Sequence, residues 1–229
     1  MPTSLGYFAV AITALGTAAG TGCASASFDL RATTPVAPTE PGHHAVAIVR
    51  IPAPWYAPRF AIARRFRAAV PDYEHVPGLV AKAFTIDEDR RFGGIYVWAD
   101  RAAATTYYSA SWRADIRERR GHDPDVVVFD APFVVRGRAV LHGERIDARA
   151  QSYPATATLV VTSDDVTGPG DPGAARLAQR ISELDGLVAG AVIVTAGKLG
   201  YIALWARREL AEAAVGRDAT YFDAPVLLL

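Results

Sequence analysis

Asp185-Gly186-Leu187-Val188-Ala189-Gly190-Ala191, then Gly200-Tyr201-Ile202-Ala203-Leu204-Trp205, then Phe222-Asp223-Ala224-Pro225 repeat an earlier series in the same chain. That series is Pro77-Gly78-Leu79-Val80-Ala81-Lys82-Ala83, Gly94-Ile95-Tyr96-Val97-Trp98 and Phe129-Asp130-Ala131-Pro132. Order, residue type and spacing agree over three separated blocks, which is the signature of one duplicated supersecondary unit whose copies hide their apolar faces against each other. The offset is 108 between Gly78 and Gly186, 107 between Trp98 and Trp205, and only 93 between Phe129 and Phe222. The second copy therefore lacks a counterpart for roughly Tyr108 to His122, a stretch holding Trp112 and a charged run. Such a loss removes wall rather than core, so the pattern predicts an asymmetric pair of lobes with the better pocket in the first.

Each copy reads as β-α-β-β-α-β. In the first, Ala45 to Ile51 is a β-branched run suited to a buried strand. Phe60, Ala63, Phe66 and Val70 fall at helical spacing and Pro71 marks the stop. Leu79 to Ile86 and Gly94 to Trp98 form a hairpin around the charged turn Asp87 to Arg91. Asp100 is placed to cap a second helix whose buried stripe is Tyr108, Trp112 and Ile116 and whose end is Gly121; Asp125 to Val135 is the fourth strand. In the second copy the counterparts are Thr156 to Thr162, a helix with Leu177, Ile181 and Leu184, strands from Leu187 and Tyr201, a short helix over Glu209 to Val215, and Tyr221 to Leu228.

This order predicts an α+β protein of two tandem ferredoxin-like lobes packed sheet to sheet, with a cavity between sheet and helices. The expected division is a leader and tether over 1–42, a first lobe over 43–140, a linker over 141–154 and a second, shortened lobe over 155–229.

Composition narrows the function classes. The chain has 229 residues, 51% apolar, with a formal net charge of zero. It can bury a substantial core, and nothing in its charge favours nucleic acid. Arg64, Arg65 and Arg67, and again Arg117, Arg119 and Arg120, read as solvated helix faces. The single cysteine, Cys23, excludes an intrachain disulfide and a cysteine metal cluster. It follows an uncharged apolar stretch, Leu5 to Gly22, and precedes a segment rich in Ala, Ser, Thr and Pro. That arrangement reads as a secretory signal and flexible tether, hence export to the cell envelope, against an Ala/Gly-rich leader on a cytoplasmic protein. Gly22-Cys23-Ala24 is similar to the processing site of bacterial lipoproteins, and that resemblance implies lipidation of Cys23 and membrane attachment.

The run Val76-Pro77-Gly78-Leu79 through Gly94-Ile95-Tyr96-Val97-Trp98, the following helix with Trp112, and Phe129-Asp130-Ala131-Pro132 resemble the dimeric α/β-barrel superfamily. Within it they are most similar to the YdhR-type monooxygenases, near the antibiotic-biosynthesis monooxygenases. The resemblance implies an intrachain pseudo-dimer, monomeric or a homodimer, with a pocket for a small apolar or aromatic molecule. It also implies oxidation of a phenol or quinol by molecular oxygen with no cofactor, neither metal nor flavin.

On the same resemblance Trp98 takes the place of the tryptophan set against the substrate. Tyr96, Tyr107, Tyr108 and Trp112 surround it in sequence, with Tyr73 and His75 on the loop before Pro77 as further candidates. His75 is the titratable group of this set suited to take a proton near neutrality. Strand alternation should put Tyr96 and Trp98 on one side of the sheet and Ile95 and Val97 on the other. Heme-degrading members of the superfamily the chain resembles use a histidine on the second helix and an asparagine on the first strand; this chain has no histidine between Trp98 and Gly121 and no asparagine, so the resemblance disfavours heme degradation. No histidine spacing suits a metal, and no glycine-rich loop suits a dinucleotide. Two other readings stand beside the enzyme: a non-catalytic carrier or sensor of the same fold, and a tethered interaction module.

Overall fold

The fold is read from a computed structural model that describes residues 42–141, 144–145, 150–166, 168 and 170–228. Cys23 and the leader lie outside them. Along the chain run β1 (His44–Pro52), α1 (Arg59–Glu74), β2 (Leu79–Asp87), β3 (Arg91–Trp98), α2 (Arg101–Tyr107), α3 (Ala110–Arg120) and β4 (Asp125–Arg136). Then come β5 (Glu144–Arg145), β6 (Ala150–Asp165), α4 (Pro172–Ser182), β7 (Leu187–Thr195), β8 (Lys198–Trp205), α5 (Arg208–Val215) and β9 (Thr220–Leu228).

All pairings are antiparallel, in the order β5-β6-β8-β7-β4-β1-β3-β2-β9, and β6 also pairs with β9. That last pairing closes eight strands into a barrel, with β5 as a short appendage on β6. Closure leaves the eight strands without an open edge. Two seams join the halves of the chain: β4 against β7, for example Phe133 opposite Val192, and β2 against β9, for example Lys82 opposite Leu228.

Period-two alternation separates two faces on every strand. Val46, Ile48, Ile95, Phe129, Ala157, Ala191, Ile193, Ile202 and Phe222, drawn from both halves, form one buried cluster inside the barrel. The opposite faces carry the helices. Ala45, Ala47, Val49, Tyr96 and Trp98 pack beneath α2 and α3, and Ile62, Phe66 and Val70 of α1 pack on Phe84, Ile86, Val226 and Leu228. Leu177 and Ile181 of α4 and Ala211 of α5 cover Leu187, Ala203 and Trp205.

The structure corrects several expectations in detail. α1 continues three residues past Pro71 to Glu74, because a proline in the last turn forfeits a bond the fraying end can spare. Phe60 is not on the buried stripe; it stands 77% exposed, two residues and so about 200° around the helix from Ile62. The second helix is broken. α2 ends at Tyr107 and Ser109 starts α3, its hydroxyl accepting from the Trp112 amide at 3.3 Å. The segment expected as a linker supplies strand: β6 begins at Ala150 and pairs there with Leu228 of β9.

Gly93 shows how closely the barrel strands approach. A Cβ there would sit 2.0 Å from the Val49 carbonyl oxygen on β1. Gly93→Ala must push backbone against backbone, and is expected to lower stability by about 2–3 kcal/mol in urea unfolding, with the unfolding slope unchanged.

Candidate functional site

The aromatic residues singled out by sequence do come together, beneath the helices of the first half. Tyr96 and Trp98 stack at 6.1 Å with planes 9° apart, as same-face strand neighbours two positions apart can. Tyr108 meets both edge-on, at 5.7 and 5.6 Å. Tyr107 touches Trp98 and Trp112, and Tyr73 of α1 reaches Tyr96 at 6.0 Å. His75 is outside this layer. It caps the C-terminal end of α1 with its side chain exposed.

Burial sets the chemistry of the layer. It raises the pKa of Tyr73, Tyr96, Tyr107 and Tyr108, so the phenols stay protonated and act as hydrogen-bond donors rather than bases. Trp98 Nε1 and the Tyr108 hydroxyl are buried without a completed hydrogen bond.

Lys82 belongs to this layer and was missed in the sequence. It is 2% exposed, and its Nζ lies 3.0 Å from the ring centroid of Tyr73, 3.8 Å from that of Phe84 and 4.5 Å from that of Tyr96. The ring faces recover part of the cost of burying an ammonium. Desolvation still dominates and holds its pKa well below the ordinary 10.5, opposed weakly by the Asp72 carboxylate. Alternation with Phe84 and Ile86 along β2 was the available signal, since it places Lys82 on the helix-covered face.

The second half lacks this equipment. Register puts Ala203 opposite Thr158 and Trp205 opposite Thr156, as Tyr96 lies opposite Ala47 and Trp98 opposite Ala45. The positions of Ala47, Lys82 and Tyr96 are thus held by Thr158, Gly190 and Ala203. There the Trp205 indole donates to Thr158 Oγ1 at 2.9 Å, and the layer is satisfied. With alanine at 47, Trp98 has no such acceptor.

The hollow is not under the Trp98 ring, where sequence reasoning placed it. It lies across the sheet, inside the barrel, with a volume of about 300 Å³, and Ile95 and Val97 line it from β3. The reason is side-chain size. Ala83, Ala157 and Ala191 border the space, whereas Ile48, Phe129, Ile193 and Phe222 fill the interior beyond it, and aromatic bulk fills the helix-covered layer instead.

His44, the first residue of β1, also lines the cavity. Its Nδ1 is 3.2 Å from the Trp98 carbonyl oxygen. A carbonyl only accepts, so Nδ1 carries a proton and donates to it, and Nε2 is the ring nitrogen left outside this bond. A side chain at Gly42 would lie 2.9 Å from the imidazole Cδ2, so glycine there makes room for the ring. Alternation again held the clue: His44, Val46 and Ile48 share the inward face. Among the described residues no group of three or more His, Cys, Asp or Glu is placed to hold a metal.

No protein-family profile matches the chain, and no curated protein does. Solved structures align with it at low identity. A Fusobacterium nucleatum protein described as a "putative monooxygenase" is 9% identical, with a TM-score of 0.51 over 82% of this chain and 94% of that one. A Lactobacillus acidophilus protein of the same description is 10% identical, with a TM-score of 0.47 over 82% and 99%. An anthrone oxidase-like protein is 13% identical, with a TM-score of 0.45 over 81% and 92%. The Fusobacterium likeness shows a shared barrel fold.

Lys82 offers a direct test of the buried layer. Its folded pKa is depressed, so below pH 10.5 the unfolded chain takes up a proton that the folded chain resists, and stability falls as pH falls. Lys82→Met should be more stable than the parent at pH 7. The difference should shrink on approaching pH 10.5, with a slope of up to about 1.4 kcal/mol per pH unit in urea unfolding.

Proposed function

We propose that the chain binds a small aromatic or quinol-like molecule in the barrel cavity and oxidises it with molecular oxygen, without metal or flavin. The two halves are read as tandem ferredoxin-like lobes standing in for the two subunits of a dimeric barrel of the YdhR type. The strand orders β4-β1-β3-β2 and β9-β6-β8-β7 support that reading, since each gives the same arrangement of one four-stranded unit. The observation that carries the functional reading is an apolar cavity with one histidine whose Nε2 is free to accept a proton.

For a phenol with an open para carbon the chemistry closes without a cofactor. His44 Nε2 takes the phenolic proton, and the phenolate gives one electron to O₂. The phenoxyl–superoxide pair joins at the para carbon, forming a C–O bond. The hydrogen on that carbon moves as a proton to the distal oxygen while the O–O bond breaks, leaving a quinone and hydroxide. The hydroxide takes the proton from His44 and departs as water. Phenol plus O₂ has become quinone plus water. The apolar walls keep competing water away from the anion and radical.

In this arrangement the aromatic layer is a supporting wall. Trp98 bears on the cavity through its carbonyl, which orients His44; Tyr73, Tyr96, Tyr107, Tyr108 and Trp112 hold that strand end in place. His75 takes no part. The carrier or sensor reading keeps the same site, and the small number of polar groups in the lining is what favours it.

Oxygen uptake with a panel of phenols and quinols tests the proposal. Turnover is expected, with His44→Gln lowering kcat by about 100-fold and leaving binding largely intact. Ala157→Leu, which grows into the cavity, should weaken binding of the same compound by about tenfold or more. Binding without oxygen uptake, equally tight in His44→Gln, would leave the carrier reading in its place.

A further inference from the structure

Three large aromatic side chains stand in solvent on one corner of the molecule. Trp55 is 87% exposed, Tyr56 71% and Phe60 77%. They sit on the connection from β1 to α1 and on the first turn of α1, within Pro52-Ala53-Pro54-Trp55-Tyr56-Ala57-Pro58-Arg59-Phe60. Burying none of them is unusual for residues of this size, and their contiguity makes the exposure a feature rather than scatter.

The segment is held rigidly. Three prolines fix its backbone dihedrals. Arg90, in the left-handed region at φ 60°, donates from its guanidinium to the Trp55 carbonyl at 3.2 Å and to the Ala57 carbonyl at 2.8 Å. Trp55 and Tyr56 pack edge to face at 5.8 Å, and Arg59 pairs with Asp223, tying the start of α1 to β9. The aromatics are thus presented, exposed, on a backbone held by these contacts.

Charge identifies the surface they fit. Beyond Arg59, which is paired with Asp223, α1 carries Arg64, Arg65 and Arg67, and its acidic residues, Asp72 and Glu74, lie in its last turn, in a chain whose net charge is zero. Phe60, Arg64 and Arg67 follow i, i+4, i+7 on one stripe, opposite the buried Ile62, Phe66 and Val70. Tryptophan and tyrosine favour the headgroup level of a bilayer, and arginines beside them attract anionic lipid phosphates.

We propose that Trp55, Tyr56 and Phe60, with the exposed arginine face of α1, dock this protein peripherally on an anionic lipid bilayer. The contact needs neither Cys23 nor a spanning segment; among the described residues no helix is long and apolar enough to cross a membrane. It places an interfacial anchor beyond the Pro52 end of β1. The cavity lies toward the opposite end, at His44.

The full chain carrying Cys23→Ser, so that no lipid is attached, is mixed with vesicles of phosphatidylcholine alone or with about a third phosphatidylglycerol. Bromine-labelled phosphatidylglycerol should quench Trp55, with the quenching absent in Trp55→Phe. Partition should be strong only on the anionic vesicles and weaken with salt. Trp55→Ala with Phe60→Ala, and separately Arg64→Glu with Arg65→Glu, should each reduce it by about tenfold or more. These positions are solvent-facing, so thermal unfolding should be unchanged and serves as the control. Equal partition on neutral vesicles, or no Trp55 quenching, overturns the proposal. So does self-association in solution that the aromatic substitutions abolish, which assigns the patch to a second copy of the chain.

Discussion

Closure of the eight strands governs this structure. A four-stranded antiparallel sheet covered by helices on one face leaves two edges of unpaired amides and carbonyls and one bare apolar face. Pairing β2 with β9 and β4 with β7 removes the edges between the halves and buries both bare faces in the same step. Neither half can do this alone. The interior of the barrel belongs to both, and the only choice left to the sequence is how far to fill it.

It is filled unevenly. Ile48, Phe129, Ile193 and Phe222 occupy one part, and alanines leave the other hollow beside His44. The helix-covered layer of the first half is the reverse, crowded with aromatic rings around a buried amine. Comparison with the second half gives this contrast its weight. There Thr158 satisfies the Trp205 indole, and Gly190 and Ala203 stand where Lys82 and Tyr96 stand in the first half. A buried lysine with depressed pKa and an indole without an acceptor both cost stability, and the second half shows a sheet of the same order built without them.

The strands and helices were legible because alternation and helical spacing write directly onto sequence. Tyr96 with Trp98, and Ile95 with Val97, separate as strand geometry demands. Three things were not legible, for physical reasons. Alternation marks two faces but does not say which encloses space; that depends on summed side-chain volume across strands distant in sequence, so the hollow was assigned to the wrong side of β3. Phe60 looked like core because it is apolar and in a helix, and only the phase set by Ile62, Phe66 and Val70 shows it facing out. Ser109 read as a helix interior residue, although its side chain is a capping group able to end one helix and begin another.

Trp98 is where the two faces meet. Its ring is locked among Tyr96, Tyr107 and Tyr108 on the outer side of β3, while its carbonyl, pointing along the sheet, accepts from His44 beside the cavity. A carbonyl belongs to every residue, so the hydrogen bond to His44 does not require an indole. What the indole supplies is immobility: a side chain with no exposed surface, wedged between strand and helices, fixes the end of β3 and with it the acceptor. The aromatic layer therefore bears on the cavity by holding one backbone oxygen still. The sequence resemblance drew attention to the Trp98 end of β3, and the cavity lies on the far side of the sheet from that ring.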